Sequence, residues 1–330
     1  MKFLIAGLGS IGRRHLRNLR ALGQEDILLY RTHQATLPDA ELGDLPTFKE
    51  LGLALAEKPD GVIVANPTAL HLEVALAAAR AGAALLIEKP VSDSLAGLGE
   101  LQSALTLSGK PAMVGFHFRF HPVLSQIKTL LESGQLGKPL SARAHWGEYL
   151  PPWHPWEDYR RSYAARADLG GGVVNTLSHP LDYLRWLLGE VEGVSAWTGK
   201  LSELELDVED HADILLRFAS SEVASVHLDY FQRPPSHTLE ITCELGRICW
   251  DNATGEAQVF HAQNSTVDLL LPPEGFERNQ MFLDEMATFI RLCHGETLPH
   301  CTLADGIRAQ ELVLAIKQSA SQGGCMVRLA

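Results

Sequence analysis

Short apolar runs alternate with helical patterns through residues 1–120, and this alternation constrains the fold more than any other feature of the sequence. Each run has strand length, and the order is KFLIA then RRHLRNLRAL, DILLY then TFKELGLALAEK, GVIVA then LHLEVALAAARAG, ALLIE then LAGLGELQSAL, and finally AMVGF. Strands that are joined through helices run parallel in one sheet. The sequence therefore predicts an α/β fold, with a doubly wound parallel sheet in an N-terminal domain over residues 1–120.

The pattern changes after residue 120, where strands come to dominate. A helical stretch, HPVLSQIKTLLESGQ, and a strand, LSARAHWGEY, lead through an aromatic loop to a second helical stretch, VVNTLSHPLDYLRWLL. Strand-like runs from DHADILLRFA to TVDLLL follow, and two helices are predicted over 279–294 and 303–322. Because 330 residues exceed what one hydrophobic core usually serves, we predict a second, α+β domain over 121–330 with a mostly antiparallel sheet.

Composition and charge exclude several classes of partner. The net charge of −12 argues against nucleic acid or an anionic membrane, because either partner requires a basic face. The apolar run FLIAGLG is too short to span a bilayer and precedes basic residues, so neither a membrane span nor a secretory signal is predicted. The five cysteines form no CxxC pair, and a metal site at His117 and His121 is discounted because Pro122 follows them. We expect a cytoplasmic protein with free thiols and no metal.

The glycine motif GLGSIG lies between the first strand and the first helix. Gly7 suits the turn, Gly9 a close approach of the backbone to phosphate, and Gly12 the packing of the helix on the strand. The first amides of the helix, at Ser10 and Ile11, would then face the phosphates. We predict a dinucleotide-binding cradle, and the alternative is a tight turn without a ligand.

The end of the second strand indicates which dinucleotide is preferred. An aspartate or glutamate is usual there in NAD-specific sites, but this chain has Arg31, Thr32 and His33. A guanidinium can stack on adenine and pair with a 2′-phosphate. We predict that NADP(H) is favoured over NAD(H), and the alternative is that Arg31 is an ordinary solvated arginine.

Two further loops follow the third and fourth strands, at the edge of the sheet where ligands gather. Lys89 precedes a proline, which holds the loop extended, and its ammonium could polarise a substrate oxygen near the nicotinamide. For His71 alone, a position on the helix surface is the alternative. The predicted cofactor contacts in these loops are Asn66, Pro67, Thr68, His71, Glu88 and Lys89.

A second group of polar residues follows the run Gly170–Gly172. Asn175, His179 and Asp182 are spaced at i, i+4 and i+7, which would place them on one face of a continuous helix. A polar face that begins after a glycine run is a candidate for lining a cleft. The alternative is a solvated amphipathic face.

The segment YLPPWHPWEDYRRSYAARAD is long and aromatic for a connector. Aromatic faces suit the apolar face of a sugar ring, and the local arginines suit an anionic group such as a carboxylate or pyrophosphate. For Trp153 and Trp156 the alternative is packing between the domains. The predicted substrate contacts are Trp153, His154, Tyr159, Arg161 and Tyr163.

The motifs GLGSIG, NPTALH, EKP, GFHFRFHP and GGGVVNTLSHPLD occur in an order that resembles the Gfo/Idh/MocA family. The resemblance implies a Rossmann domain followed by an α+β domain whose open sheet often mediates dimers or tetramers. It implies that Lys89 contacts nicotinamide and substrate and that His179 is an acid/base. Asn175 stands where many members have aspartate. An amide can orient the imidazole but supplies no negative charge to stabilise imidazolium, so His179, Lys89 or a tyrosine could carry the proton.

The expected activity is hydride transfer between nicotinamide and a secondary hydroxyl or ketone of a sugar, cyclitol or nucleotide-sugar, with Lys89, His179 and Asn175 as the catalytic group. The resemblance leaves two alternatives: a sensor or corepressor that binds dinucleotide without turnover, and a glycosidase that uses NAD for transient oxidation. We expect a homodimer or homotetramer formed through the C-terminal sheet.

Overall fold

The first sheet is parallel and six-stranded. The computed structural model describes residues 1–32, 37 and 39–329. The strands lie in the order β3-β2-β1-β4-β5-β6. They are β1 (Phe3–Ala6), β2 (Ile27–Tyr30), β3 (Thr47–Phe48), β4 (Gly61–Val64), β5 (Ala84–Glu88) and β6 (Ala112–Gly115). The connecting helices are α1 (Ser10–Ala21), α2 (Leu51–Ala56), α3 (His71–Arg80) and α4 (Leu98–Ser108).

The strand order reverses between β1 and β4, which are direct neighbours. A crevice forms at the carboxyl ends of the strands at such a reversal, and ligands of doubly wound sheets bind there. The loops after β1, β2, β4 and β5 therefore converge on one edge. Those loops carry the predicted cofactor contacts.

The second sheet has nine strands in the order β14-β13-β12-β11-β7-β10-β9-β8-β15. All its neighbouring strands are antiparallel except β7 and β10, which pair in parallel. The strands are β7 (Pro139–Gly147), β8 (Val191–Gly199), β9 (His211–Phe218), β10 (Val223–Asp229), β11 (Ser236–Cys243), β12 (Gly246–Asp251), β13 (Glu256–His261), β14 (Thr266–Leu270) and β15 (Val327–Arg328). Both sheets confirm the predicted fold class.

One face of the second sheet is covered by helices, and the other is exposed. The core on the covered face contains Leu124, Leu181 and Leu312 together with alternate residues of the strands. The helices of this part are α5 (Pro122–Glu132), α6 (Val173–Thr176), α7 (His179–Leu188), α8 (Arg278–Cys293) and α9 (Leu303–Ser321). Within the described residues, none of the helices has the length and apolar character needed to cross a membrane.

The C-terminal helices return to the first sheet. Phe289 of α8 packs against Phe3 of β1 with ring centroids 6.1 Å apart, and Met286 belongs to the same core. Leu303 and Ala309 of α9 join the core on the opposite face of that sheet. The chain therefore covers its N-terminal sheet with elements from both ends, and the domain limits at residues 120 and 121 remain a prediction.

Two local expectations were wrong, and strand β8 was missed. The helix predicted through VVNTLSHPLDYLRWLL is broken between Thr176 and His179. The stretch beginning at Thr47 is a strand before it is a helix, because Thr47 and Phe48 pair with β2. Strand β8 was not predicted, since its stretch VEGVSAWTG has little apolar alternation and is held by its pairing with β9.

Candidate functional site

The glycine motif forms an open cradle at the start of α1. Gly7 has φ +97°, and a Cβ there would lie 2.4 Å from the backbone nitrogen of Asn66. A Cβ at Gly12 would lie 2.0 Å from the carbonyl oxygen of Gly7. A Cβ at Gly9 would meet nothing within 4 Å. Packing therefore requires glycine at 7 and 12, whereas Gly9 borders open space.

The start of α1 suits an anion. Gly9 is the N-cap residue and has no side chain to cap the helix, and the first turn holds no acidic residue. The amides of Ser10 and Ile11 begin the helix at this open space. Free N–H groups and the positive end of the helix dipole favour phosphate there. The residues present fit the pyrophosphate of a dinucleotide.

Arg31 lies directly beyond the carboxyl end of β2. Its backbone N–H donates to the carbonyl oxygen of Phe48 at 3.1 Å, and the residue is only 6% exposed. Thr32 beside it is exposed, and His33 lies outside the described residues. The structure thus gives Arg31 a fixed backbone at the edge where the adenosine end of a dinucleotide lies in doubly wound sheets.

His71 is buried between two loops instead of lying on the helix surface. Its Nδ1 is 2.9 Å from the carbonyl oxygen of Pro90, and its Nε2 is 2.8 Å from that of Asn66. Burial lowers the pKa of His71. The ring therefore connects the loop after β4 to the loop after β5. Its neighbours Pro67 and Thr68 begin a short 3₁₀ helix at the same edge.

Lys89 reaches from the end of β5 to the break between α6 and α7. Its Nζ donates to the carbonyl oxygen of Thr176 at 2.6 Å. Pro180 follows Thr176 by four residues and has no N–H, so this carbonyl has no helical donor. Burial lowers the pKa of Lys89 to about 8, while Glu88 opposes the shift. A substantial fraction of neutral amine is thus accessible near physiological pH.

Glu88, which directly precedes Lys89, belongs to a buried cluster with His15 and Glu285. Its Oε1 lies 2.7 Å from Nε2 of His15 on α1. Glu285 of α8 is fully buried nearby, and one donor atom from each of the three residues lies within 4.8 Å of the others. Burial and the charge of Glu88 raise the pKa of Glu285 well above its ordinary value. Burial therefore favours the neutral form of the Glu285 carboxyl group.

His179 is the first residue of α7, and aromatic rings surround its imidazole. Its ring centroid is 4.3 Å from that of His117, 5.0 Å from Phe118 and 5.5 Å from Phe116. Burial, followed by the charges of His117 and Lys89, lowers the pKa of His179 well below its ordinary value. Among the described residues, its Nδ1 has no hydrogen-bond partner. The imidazole is neutral.

Within the described residues, no hydrogen bond joins the side chains of Asn175 and His179. Its Nδ2 donates to the carbonyl oxygens of Gly170 at 3.0 Å and Gly171 at 3.2 Å. The expected i, i+4 relationship fails because α6 ends at Thr176. Asn175 therefore holds the glycine loop, which packs against the β4 loop: a Cβ at Gly170 would lie 3.0 Å from Cβ of Thr68.

The expectation that Asp182 lines the cleft was wrong. Arg119 binds its carboxylate through two hydrogen bonds of 3.0 and 2.7 Å, and both side chains are buried. The same guanidinium donates to the carbonyl oxygen of His300 at 2.9 Å. Asp182 raises the pKa of Arg119. This bidentate pair is a structural contact between α7 and the segment after β6.

The aromatic segment divides into packed and exposed residues. Trp153 packs edge-on to Tyr230 with ring centroids 5.6 Å apart. The hydroxyl of Tyr159 accepts a hydrogen bond of 3.0 Å from the backbone N–H of Glu205. His154 is half-buried, which lowers its pKa, and Arg161 is exposed. Tyr163 adjoins the glycine loop, since a Cβ at Gly171 would lie 2.2 Å from its carbonyl oxygen. Of the predicted substrate contacts, the structure brings Tyr163 closest to the loop that Asn175 holds.

Sequence reasoning missed two arginines of the site. The charge of Arg278, at the start of α8, helps to lower the pKa of Lys89, His179 and Arg14. Arg14 of α1 stacks its guanidinium on Phe282 at 4.4 Å. Arg14 and Arg278 are 264 positions apart in sequence, so no local motif joins them.

The chain matches models of known families and solved structures. The family model described as oxidoreductase family, NAD-binding Rossmann fold, matches residues 1–116, and the GFO/IDH/MocA C-terminal domain matches residues 124–249. Myo-inositol 2-dehydrogenase of Thermotoga maritima is 28% identical over 342 residues, covering 97% of this chain and 96% of that protein. 1,5-Anhydro-D-fructose reductase of Ensifer adhaerens is 26% identical over 272 residues, covering 80% and 78%.

A solved structure supports the same fold. Levoglucosan dehydrogenase in complex with NADH and levoglucosan superposes with a TM-score of 0.87 at 21% identity, covering 99% of both chains. The two family models together span most of the sequence, on either side of the region where the fold passes from the parallel to the antiparallel sheet. The protein belongs to the Gfo/Idh/MocA family of NAD-binding oxidoreductases.

Proposed function

We propose that the protein transfers a hydride between a nicotinamide dinucleotide and a secondary hydroxyl or ketone of a sugar, cyclitol or nucleotide-sugar. The observation that carries this proposal is the contact of the Lys89 ammonium with Thr176, three residues before the neutral His179. Lys89 directly follows β5 at the sheet edge that carries the glycine cradle, and His179 begins α7. The names of relatives that act on myo-inositol, anhydrofructose and levoglucosan support the substrate class.

Each polar residue has a distinct task in this proposal. The bound cofactor supplies the carbon that gives or takes the hydride. Lys89 in its ammonium form polarises the substrate oxygen, and neutral His179 accepts the proton of a hydroxyl in the oxidative direction. Partial burial raises the pKa of Tyr163 to about 12, so this tyrosine is a poor proton acceptor. Asn175 positions the glycine loop.

Cofactor binding is tested first, by titrating the protein with NADPH and NADH while following nicotinamide fluorescence. Gly9→Ala would place a methyl group in the open space of the cradle, and we expect it to weaken binding about tenfold or more. Gly99→Ala is the matched control, because a Cβ there also meets nothing within 4 Å but lies in α4. Equal binding by both variants would contradict the placement of the pyrophosphate.

We propose that NADP(H) is preferred over NAD(H). The support is Arg31 at the end of β2, where a carboxylate would favour a free ribose 2′-hydroxyl. Arg31→Ala should weaken NADPH binding about tenfold and leave NADH binding nearly unchanged. A similar loss for both cofactors would show that Arg31 does not read the 2′-phosphate.

Turnover is tested by absorbance at the reduced-nicotinamide band with inositols, levoglucosan, anhydrofructose and UDP-sugars, in both directions. Stoichiometric cofactor consumption supports the dehydrogenase reaction. Tight cofactor binding without turnover of any substrate would favour a sensor, and substrate hydrolysis without net absorbance change would favour a glycosidase.

We propose that a second copy of the chain covers the exposed face of the second sheet. Trp197, Leu215 and Val223 are 54%, 54% and 53% exposed there and lie on the neighbouring strands β8, β9 and β10, and an exposed apolar patch marks an interaction surface. Light scattering should give a dimer or tetramer, and Leu215→Glu should shift it towards the monomer. A monomeric wild-type protein would contradict this proposal.

A further inference from the structure

Three neighbouring strands of the second sheet place a group of imidazoles and carboxylates on its exposed face. His145 of β7 pairs directly with His227 of β10, and His227 pairs with Asp213 of β9. Directly paired residues project their side chains on the same face of a sheet. Asp229 lies two residues after His227 and therefore projects on that face too. The register alone brings these four side chains together.

The donor atoms of three of these residues are close enough to share one ion. One donor atom from each of His145, His227 and Asp229 lies within 4.8 Å of the others. Nε2 of His227 and Oδ2 of Asp229 are 3.1 Å apart. Two ligands of a tetrahedral zinc ion are roughly 3.4 Å apart when each bond is about 2.1 Å. The rings of His145 and His227 stack with centroids 4.8 Å apart and an interplanar angle of 11°, so one ring must rotate before both nitrogen lone pairs face the same ion.

The surrounding contacts orient the donors. Oδ1 of Asp229 accepts hydrogen bonds from the backbone N–H groups of Phe231 at 2.8 Å and Gln232 at 2.6 Å, so Oδ2 is turned towards His227. Nδ1 of His227 lies 2.7 Å from Oδ1 of Asp213. Metal-binding histidines usually donate their second ring N–H to a carboxylate in this way.

Gly147 leaves the room that the site requires. It pairs with Asp229 across the β7–β10 ladder. A Cβ at Gly147 would lie 2.3 Å from both Oδ2 of Asp229 and Oε1 of Gln232. Asp229 is 1% exposed, and its Oδ2 has the imidazole of His227 as a partner at 3.1 Å.

We propose that His145, His227 and Asp229 bind a divalent transition-metal ion, with Zn²⁺ as the ion that suits two imidazoles and one carboxylate. Asp213 orients His227, and a water molecule completes the coordination. The hydrogen bond of 2.6 Å between Nε2 of His145 and Oε1 of Gln232 must open or shift when the ion binds. The ion would clamp β7 to β10, the one parallel pair of the second sheet within the described residues. This site is separate from the glycine cradle and does not depend on the proposed reaction.

The test is a titration of chelator-treated full-length protein with Zn²⁺ against a chromophoric indicator. We expect one Zn²⁺ per chain, and Co²⁺ in its place should give the strong visible absorption of four-coordinate cobalt. Asp229→Asn keeps the acceptor for the two backbone amides but removes the anionic ligand, and His227→Gln removes an imidazole. Each should weaken binding at least tenfold, and Asp213→Asn about tenfold to 100-fold.

His261→Ala is the matched control. His261 also pairs with an aspartate of the second sheet, Asp268, at 2.9 Å, but this pair is outside the group. Its removal should leave Zn²⁺ binding unchanged, and circular dichroism should show that every variant is folded. Absence of binding below millimolar Zn²⁺ would overturn the proposal. Binding that survives both Asp229→Asn and His227→Gln would also overturn it and would assign the ion to other groups, such as the exposed thiol of Cys325.

Discussion

The Lys89 ammonium donates a 2.6 Å hydrogen bond to the carbonyl oxygen of Thr176, and this contact joins the end of β5 to the break between α6 and α7. Pro180 cannot donate to that carbonyl, so the residue that interrupts the helix also leaves an acceptor for the lysine. The break therefore helps to set the position of Lys89 relative to His179.

Removal of the Lys89 ammonium should separate turnover from cofactor binding. In Lys89→Met, we expect kcat to fall by about 10²–10⁴-fold, because no cation polarises the substrate oxygen. The dissociation constant for NADPH should change about threefold or less. Steady-state kinetics and fluorescence titration measure the two effects. Lys110→Met, at an exposed lysine, is the control, and equal kcat values for the two variants would contradict the role of Lys89.

The pH dependence of ketone reduction should report Lys89. Burial lowers its pKa to about 8, so the polarising ammonium is lost as pH rises through that value. We expect kcat/KM for reduction to fall about tenfold per pH unit above it. Lys89→Arg, which stays charged, should remove that fall even if its rate is lower. A kcat/KM for reduction that stays level or rises above pH 8 in the wild-type enzyme would contradict a role for the Lys89 ammonium.

Asn175→Asp should destabilise the protein. The amide nitrogen of Asn175 donates to the carbonyl oxygens of Gly170 and Gly171, and a carboxylate oxygen would repel both. We expect a loss of about 1–3 kcal/mol in the free energy of unfolding. The loss should grow as pH rises above about 4, where the new carboxyl group ionises in the unfolded chain.

Urea unfolding at several pH values measures this effect. Asn252→Asp, at an exposed asparagine, is the control and should unfold like the wild type. Unchanged or increased stability in Asn175→Asp would show that the glycine loop accommodates a carboxylate.

Glu285→Gln should reduce the loss of stability at high pH. Burial and the charge of Glu88 raise the pKa of Glu285 in the folded state, so the unfolded chain binds fewer protons between the ordinary pKa and the raised one. The free energy of unfolding therefore falls as pH rises through that window, and Gln removes this contribution. The difference between variant and wild type should grow in favour of Gln as pH rises above the ordinary glutamate pKa, about 4–5. A constant difference across that range would contradict a protonated Glu285.

Asp182→Asn should be among the more destabilising single changes, because it removes the bidentate carboxylate of the buried Arg119 guanidinium, whose ion pair with Asp305 is longer, at 3.4 Å. Loss of one partner of a buried pair costs about 3–5 kcal/mol. Asp168→Asn, which breaks the exposed pair with Arg166, should leave the thermal unfolding midpoint unchanged. Similar midpoints for the two variants would show that the Arg119 pair contributes little.

The sequence by itself determined the parallel sheet, the glycine cradle and the loops that meet at its edge. These features depend on local patterns: apolar runs of strand length, the spacing of Gly7, Gly9 and Gly12, and residues that directly follow a strand. The order of motifs also indicated the family, which the two family models confirm.

Only the tertiary structure decided which polar residues meet. Asp182 has the spacing of a cleft residue, but Arg119, 63 positions earlier, holds it in the core. His145 and His227 belong to strands that are far apart in the chain and become neighbours only through the register of β7 with β10. Such contacts depend on how distant segments pack, and neither periodicity nor spacing along a single segment carries that information.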